Sequence, residues 1–319
     1  MHGRAQSVVA LGGGHGLHAS LTALRHLVDD LTVDDLTAVV TVADNGGSSG
    51  RLRAEFGVLP PGDLRMALAA LCGADEWGRT WEQVVQHRFA GDGEMRGHVV
   101  GNLLIVSLWE LLGDPVRALQ WVGRLLGAQG QVLPMALTPM DITADVRGLD
   151  PADPDARTTV RGQVAVATTE GEIVSVSLDP ADPRACPEAV EAVRATDWVI
   201  LGPGSWFTSV IPHLMVPELR AAIAETDARV IVVLNLEDQE GETSGYGPED
   251  HLAALVEHAP HLKVDAVLAD RTATKDVADL ERAAASYGAS LVVADIAIGD
   301  GTARHDPVKL AEAYAKIFG

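Results

Sequence analysis

Short, almost wholly apolar runs that end in glycine or a polar loop recur along the sequence, and stretches of helical period separate them. SVVALG (7–12) leads into LHASLTALRHLV (17–28), whose Leu17, Leu21, Leu24 and Val28 fall on one face, and then into LTAVVTVA (36–43). That is the pattern of a βαβ unit. The alternation resumes after Pro187. EAVEAV reads as helix, DWVILGPGS as strand and turn, PELRAAIAE as helix, ARVIVVLNL as strand and PEDHLAALVEHA as helix. VDAVLAD and SLVVADI read as strands, and DPVKLAEAYAKIF as a final helix. The expected fold is α/β, a Rossmann-like, mostly parallel sheet shared by the two ends of the chain.

The middle of the chain departs from this rhythm. Helical segments follow one another at 63–73, 81–89, 97–113 and 114–127, with Pro115 suited to a first helical turn. QVLPMAL, ITADVRG, GQVAVATT and IVSVSLD then read as antiparallel strands, with LDPADPDAR as their loop. The expected organisation is one domain over 1–319, with a helical insertion at about 63–127 and a β-rich excursion at about 131–179. There is no internal repeat or low-complexity tract.

Charge narrows the ligand classes. A formal net charge of -21 and a pI near 4.7 repel nucleic acid and anionic lipid, so any phosphate must be held by a local site. Cys72 and Cys186 have no ligand-like spacing and read as structural thiols of a reducing compartment. The opening MHGRAQSVVALGGGHG is no signal segment, and VVGNLLIVSLWELLG (99–113), carrying Asn102 and Glu110, is too short to span a membrane. A cytoplasmic location is expected.

Open parallel sheets bind ligands at the carboxyl ends of their strands, and there the informative residues gather. LGGGHG brings Gly12, Gly13, Gly14 and Gly16 to a strand-to-helix turn, where amides and helix dipole suit an anion; a bare βα turn is the competing reading. The spacing lacks the full dinucleotide fingerprint, which disfavours NAD. ADNGGSSGRLR supplies Asp44, Asn45, Ser48, Ser49, Gly50, Arg51 and Arg53 on a loop, and PPGDLR adds Asp63 and Arg65. Guanidinium forks and hydroxyls match phosphate oxygens, and a carboxylate can hold Mg²⁺ or a sugar hydroxyl. A solvated polar loop, with Asp63 as a mere N-cap, would leave the same trace. LGPGSWFTS repeats the anion-compatible geometry with Gly202, Gly204, Ser205 and Thr208. NLEDQEGETSGYGPEDH is a long polar loop carrying Asn235, Glu242 and His251, the last read as a surface or capping histidine before a catalytic one. Asn102 sits in an apolar helix, where a structural hydrogen bond and a ligand contact are equally open.

GGGHG, ADNGGSSGRLR, LPPGDLRMALAAL, GHVVGNLL, LGPGSWFTS, GETSGYGPEDH and RHDPVKLAEAY, in this order, resemble the CofD/YvcK family (UPF0052) across nearly the whole chain. GGSSGRLR and PPGD favour the branch of gluconeogenesis factors over the 2-phospho-L-lactate transferases. That resemblance implies a cytoplasmic regulatory factor that binds UDP-sugars, such as UDP-N-acetylglucosamine, and links carbon metabolism to cell-wall precursors. The alternative it implies is a transferase of a phospholactyl-type or nucleotidyl group that uses Mg²⁺. The ligand-binding set then comprises the glycine turn, residues 44–53, Asp63, Arg65, Asn102, the 202–208 turn, Asn235, Glu242 and Arg304. His15, where a small hydroxyl residue is common, and LNLEDQEGET, in place of CNVMTQPGET, bear on base and sugar preference. The expected partners are a UDP-sugar or related nucleotide diphosphate, with a protein partner in amino-sugar metabolism and a homodimer left open. No nucleophile, general base or metal cluster can be assigned.

Overall fold

The computed structural model describes residues 5–239, 241–274 and 276–319. Strand β1 (Gln6–Gly12) passes through helix α1 (Gly14–Asp29) to β2 (Val33–Val40), which pairs with it in parallel. The last five residues of β1 are buried, as befits a strand covered on both faces. In α1 the buried stripe holds Leu17, Leu21, Leu24 and Leu27, while Val28 is only half-buried. Each such leucine is worth about 1.5–3 kcal/mol relative to an exposed one.

The helical block comprises α2 (Gly47–Phe56), α3 (Gly62–Ala70), α4 (Glu76–Gln86), α5 (Val100–Leu112) and α6 (Pro115–Leu126). Its punctuation is local. Asp75 accepts from the Gly78 amide at 2.7 Å and Asp114 from the Arg117 amide at 3.0 Å, with Pro115 in the first turn. Gly113 and Gly127 close α5 and α6 at φ 66° and 63°. Helix α2 corrects the sequence reading, which treated residues 44–53 as a loop. Its glycines and serines have low helix propensity, and Leu52 is its one large buried side chain, so no apolar stripe announces it.

Strand β3 (Gln131–Pro134) is a second correction. It pairs in parallel with β2, Thr37 opposite Gln131, and so belongs to the main sheet instead of the β-rich excursion. The excursion itself is an antiparallel three-stranded sheet of β4 (Asp141–Arg147), β5 (Arg157–Arg161) and β6 (Glu172–Asp179), in the order β5-β4-β6. GQVAVATT, expected as a strand, forms the short helix α7 (Gln163–Ala167) after Gly162 at φ 97°. In five residues a period of two and a helical turn cannot be told apart.

The main sheet then continues through α8 (Pro187–Ala195), β7 (Trp198–Leu201), a π-helical turn (Trp206–Val210), α9 (Ile211–Met215) and α10 (Pro217–Glu225). After these come β8 (Arg229–Val233), α11 (Pro248–His258), β9 (Ala266–Asp270), α12 (Val277–Ser286), β10 (Ser290–Ala294) and α13 (Pro307–Phe318). The seven-stranded order is β10-β9-β8-β7-β1-β2-β3, with every pairing parallel. From β1 the chain winds outward through β2 and β3, then returns to the other side of β1 at β7. The order reverses there, and the carboxyl ends of β1 and β7 flank the crevice that such a reversal leaves. Ser20 Oγ and Tyr314 Oη, buried and 2.8 Å apart, tie α13 to α1 and so join the two ends of the chain. Among the described residues no helix is long and apolar enough to cross a membrane.

Candidate functional site

Two glycine turns meet at the reversal. A Cβ on Gly16 would lie 2.2 Å from the Pro203 carbonyl oxygen, so only glycine lets the β1 turn close against the β7 turn. On Gly13 it would lie 2.7 Å from Asp63 Oδ2, so the missing side chain makes room for that carboxyl group. Helix α1 begins at Gly14, whose φ of 58° also favours glycine. A chamber of about 320 Å³ opens here, with Gly13, Gly14, Gly16, Asp63, Gly204, Ser205 and Asn235 among its lining residues. The amino end of a 16-residue helix faces it, a setting that favours negative charge.

The carboxyl group beside that turn is unusual. Burial, then the charge of Asp44, pushes the Asp63 pKa up to about 7, against the opposing pull of the Gly14 amide and Arg65. Asp63 therefore exchanges its proton near neutrality. Arg65, buried in the wall behind, is lowered to about 10, chiefly by burial and then by Arg88. Asp44 Oδ1 accepts from the Gly46 amide at 2.8 Å. The cap position of α3 is Pro61, so Asp63 is no N-cap but a first-turn residue turned to the chamber.

The β7 turn is built differently. Asn235 clamps Gly204, accepting from its amide at 3.0 Å and donating to its carbonyl at 2.9 Å. Gln239 accepts from the Trp206 amide at 3.3 Å and donates to Ser205 Oγ at 3.2 Å. Glu242, 5% exposed, accepts from the Phe207 amide at 3.1 Å and from the Thr208 hydroxyl. Burial raises its pKa while these donors oppose the rise. This second anion-compatible turn is thus filled by the protein's own carboxylate, and Thr208 and Glu242 pair with each other.

Residues 45–53 divide between joints and exposed anchors. Ser48 Oγ lies 3.2 Å from His98 Nδ1 and accepts from Asn102 Nδ2 at 3.1 Å, which leaves Asn102 Oδ1 unpartnered. Ser49 is buried, its Oγ close against Gly62, and Gly50 packs on the Asn45 carbonyl. Asn45 Oδ1 accepts from the Val164 amide at 3.1 Å, docking α7 beside the cleft. Arg51 is exposed and donates to the carbonyls of Arg96 (2.7 Å) and Glu94 (3.3 Å). Arg53 pairs with Asp141 at 2.7 Å and so ties α2 to the small sheet. Gly12 is buried beneath the β1 turn, and Arg304 is exposed and pairs with Asp300 at 3.2 Å.

Other lining residues escaped the sequence reading. Gln163 hangs over the chamber from α7, and Ser209 and Gln239 complete its wall. His305, only 8% exposed, also lines it; burial lowers its pKa to about 4, and its Nε2 has no partner. Its place after Arg304 in RHDP was the one signal available.

A second chamber of about 590 Å³ continues from the first over β8, β9 and β10, sharing Asn235, Leu236, Glu237, Asp238 and Ala303 with it. His251 lines it and is buried, not a surface residue. Among the described residues no group of three or more His, Cys, Asp or Glu side chains is placed to hold a metal ion.

A family model described as 2-phospho-L-lactate transferase CofD matches residues 8–306. A Mycobacterium tuberculosis protein named among the gluconeogenesis factors is 52% identical over 307 residues, covering 95% of this chain and 88% of that one. The gluconeogenesis factor of Listeria innocua is 33% identical over 322 residues, covering 98% and 95%. The crystal structure of a UPF0052 family member from Bacillus halodurans superposes with a TM-score of 0.85 at 32% identity, covering 98% of this chain and 99% of that one.

Proposed function

The chain belongs to the CofD family (UPF0052), alongside the gluconeogenesis factors, and from that membership we propose that its cleft binds a nucleotide sugar, a UDP-sugar such as UDP-N-acetylglucosamine. On this reading the protein is a cytoplasmic regulatory factor that relates carbon supply to cell-wall precursor synthesis, and the whole chain serves as one domain around the cleft. The observation that carries it is the β1 turn: glycine amides at the amino end of α1, open to a chamber and placed at the strand-order reversal. The diphosphate occupies that chamber, with Gly13, Gly14, Gly16, Gly204 and Ser205 around it. Asp44 and Arg65 act from behind Asp63.

The transferase reading keeps one specific support. Asp63 with Asp44 matches the way Mg²⁺ is held, by one or two carboxylates plus substrate phosphate oxygens. Bound there, the ion would neutralise charge on a departing phosphate.

The deciding experiment is calorimetry against UDP-sugars, other nucleoside diphosphates and NAD, with and without Mg²⁺, followed by single-turnover assay for released UDP or UMP. Metal-independent binding of a UDP-sugar without release is the expected result. Mg²⁺-dependent release would replace the regulator with the transferase, and binding of NAD alone would remove both.

A further inference from the structure

The two ends of the main sheet are finished differently. At β3 three of the four residues are buried, Pro134 closes the strand, and the chain beyond it is bridged to 184–186. There the Cys186 amide donates to the Met135 carbonyl and the Leu137 amide to the Arg184 carbonyl, both at 3.2 Å. At β10 no strand lies beyond among the described residues. Ser290 is exposed and Leu291, Val292, Val293 and Ala294 are half-buried, whereas every residue of the neighbouring β9 is buried. The Ser290 amide donates to the Asp265 carbonyl and the Arg271 amide to the Ala294 carbonyl, both at 2.9 Å. Ser290, Val292 and Ala294 thus turn their backbone groups to β9, and Leu291 and Val293, by alternation, turn theirs to the open edge. Such an edge is a template for another strand unless charge, proline or a bulge blunts it, and SLVVA has none of the three.

Charge selects the occupant. At a net charge of -21 two copies of the chain repel over most of their surface, yet YGASLVVA (287–294) holds no charged residue, and Asp295 after it is paired with Lys309 at 3.0 Å. The strand is also its own complement. About a two-fold axis through Val292, Leu291 faces Val293 of a second copy, the two exchanging both backbone hydrogen bonds, and Ser290 faces Ala294. Every such pair is apolar or small, and no like charges stand opposite one another. Helix α12 packs on β10 and buries only Leu280 and Ala284, so a copy paired at this edge brings a second α12 alongside a helix that lacks cover. We infer that the protein associates with a second copy of itself through β10, antiparallel about Val292, to form one continuous sheet. The inference is independent of what the cleft binds.

The test is sedimentation of the full chain, as wild type, Val293→Pro and Val292→Cys, over a range of concentrations. Wild type should form a dimer, and because the paired strand is neutral while the rest of the surface repels, association should tighten as salt rises. Proline in place of Val293 removes an N–H that points away from β9, a change edge strands tolerate. It should weaken association about a hundredfold, one hydrogen bond being lost on each copy. Val292→Cys sets two thiols opposite each other in a non-hydrogen-bonded pair, with Cβ atoms about 4.5–5.5 Å apart, so mild oxidation should link the dimer covalently. Cys72 and Cys186 are buried and do not compete. A monomeric wild type overturns the pairing, as does a dimer that folded Val293→Pro leaves unweakened or that Val292→Cys fails to link. Association loosened by salt would place the contact on an ion-paired face and overturn it too. If Val293→Pro does not fold, the cross-link and the salt dependence still decide.

Discussion

The turns after β1 and β7 carry the same sequence signature, glycines between a buried strand and a helical start, yet they do opposite things. The β1 turn opens to a chamber beside a carboxyl group poised near pH 7, while the β7 turn is stopped by Glu242 and braced by Asn235 and Gln239. A glycine-rich helix start announces room for an anion; it does not say whether the anion is a ligand or the protein's own side chain. The plugged turn has a use, because its rigidity gives the open one a fixed wall.

The largest effect should come from forcing the two turns apart. Gly16→Ala drives a methyl group into the Pro203 carbonyl, backbone against backbone, and should cost about 3 kcal/mol in chemical denaturation together with loss of diphosphate binding. Next, Glu242→Ala empties the β7 turn and strands the Phe207 amide and the Thr208 hydroxyl. It should lower stability by about 2 kcal/mol, yet leave the affinity of the folded protein for pyrophosphate nearly unchanged. A large affinity gain there would mean that the emptied β7 turn also receives phosphate, and a large loss that the open turn depends on the filled one for its shape.

Asp63 sharpens the contrast through pH. Its folded pKa is raised, so the folded state holds the proton up to about pH 7, and the stability this lends is lost as pH rises from the ordinary carboxylate range through about 7. Asp63→Asn should therefore be more stable than wild type at pH 8 and equal to it at low pH. A neutral Asp63 no longer repels phosphate, so metal-free pyrophosphate binding should strengthen about tenfold, or about 1.4 kcal/mol, between pH 8 and pH 6 and lose this dependence in Asp63→Asn. Mg²⁺-dependent turnover would have the opposite slope, since the ion needs the carboxylate. Smallest of all, Arg51→Ala should change affinity by less than about 0.5 kcal/mol, because the side chain serves two carbonyls on the exposed 94–96 segment.

The parallel sheet was legible because strands buried on both faces must be apolar at every position, as Val8 to Leu11 are. The elements that were misread lack such a demand. Strand β3 has four residues and finds its partner far back in the chain, and α2 and α7 are too short or too polar to show a stripe. Helix α12 was overlooked for a related reason: Leu280 and Ala284 are its only buried residues. Of the candidate site, the glycines at a strand end and the acid Asp63 at a helix start were legible as groups, although a bare turn and an N-cap leave the same trace. Arg51 and Arg53 were not, since a guanidinium that grips carbonyls or Asp141 looks in sequence like one that grips phosphate. Gln163 and His305 reach the chamber only through tertiary placement.

Residues 235–238 line both chambers, so on the nucleotide-sugar reading the ligand is bivalent. Once one end is seated, the other meets its chamber at an effective concentration set by a few bonds of tether, so the joined molecule gains avidity that neither half has. Cutting the tether forfeits that gain without altering a single contact. On that reading the cleft would count intact molecules and ignore their fragments, which is the discrimination a gauge of precursor supply needs when the pool also holds the products of its consumption.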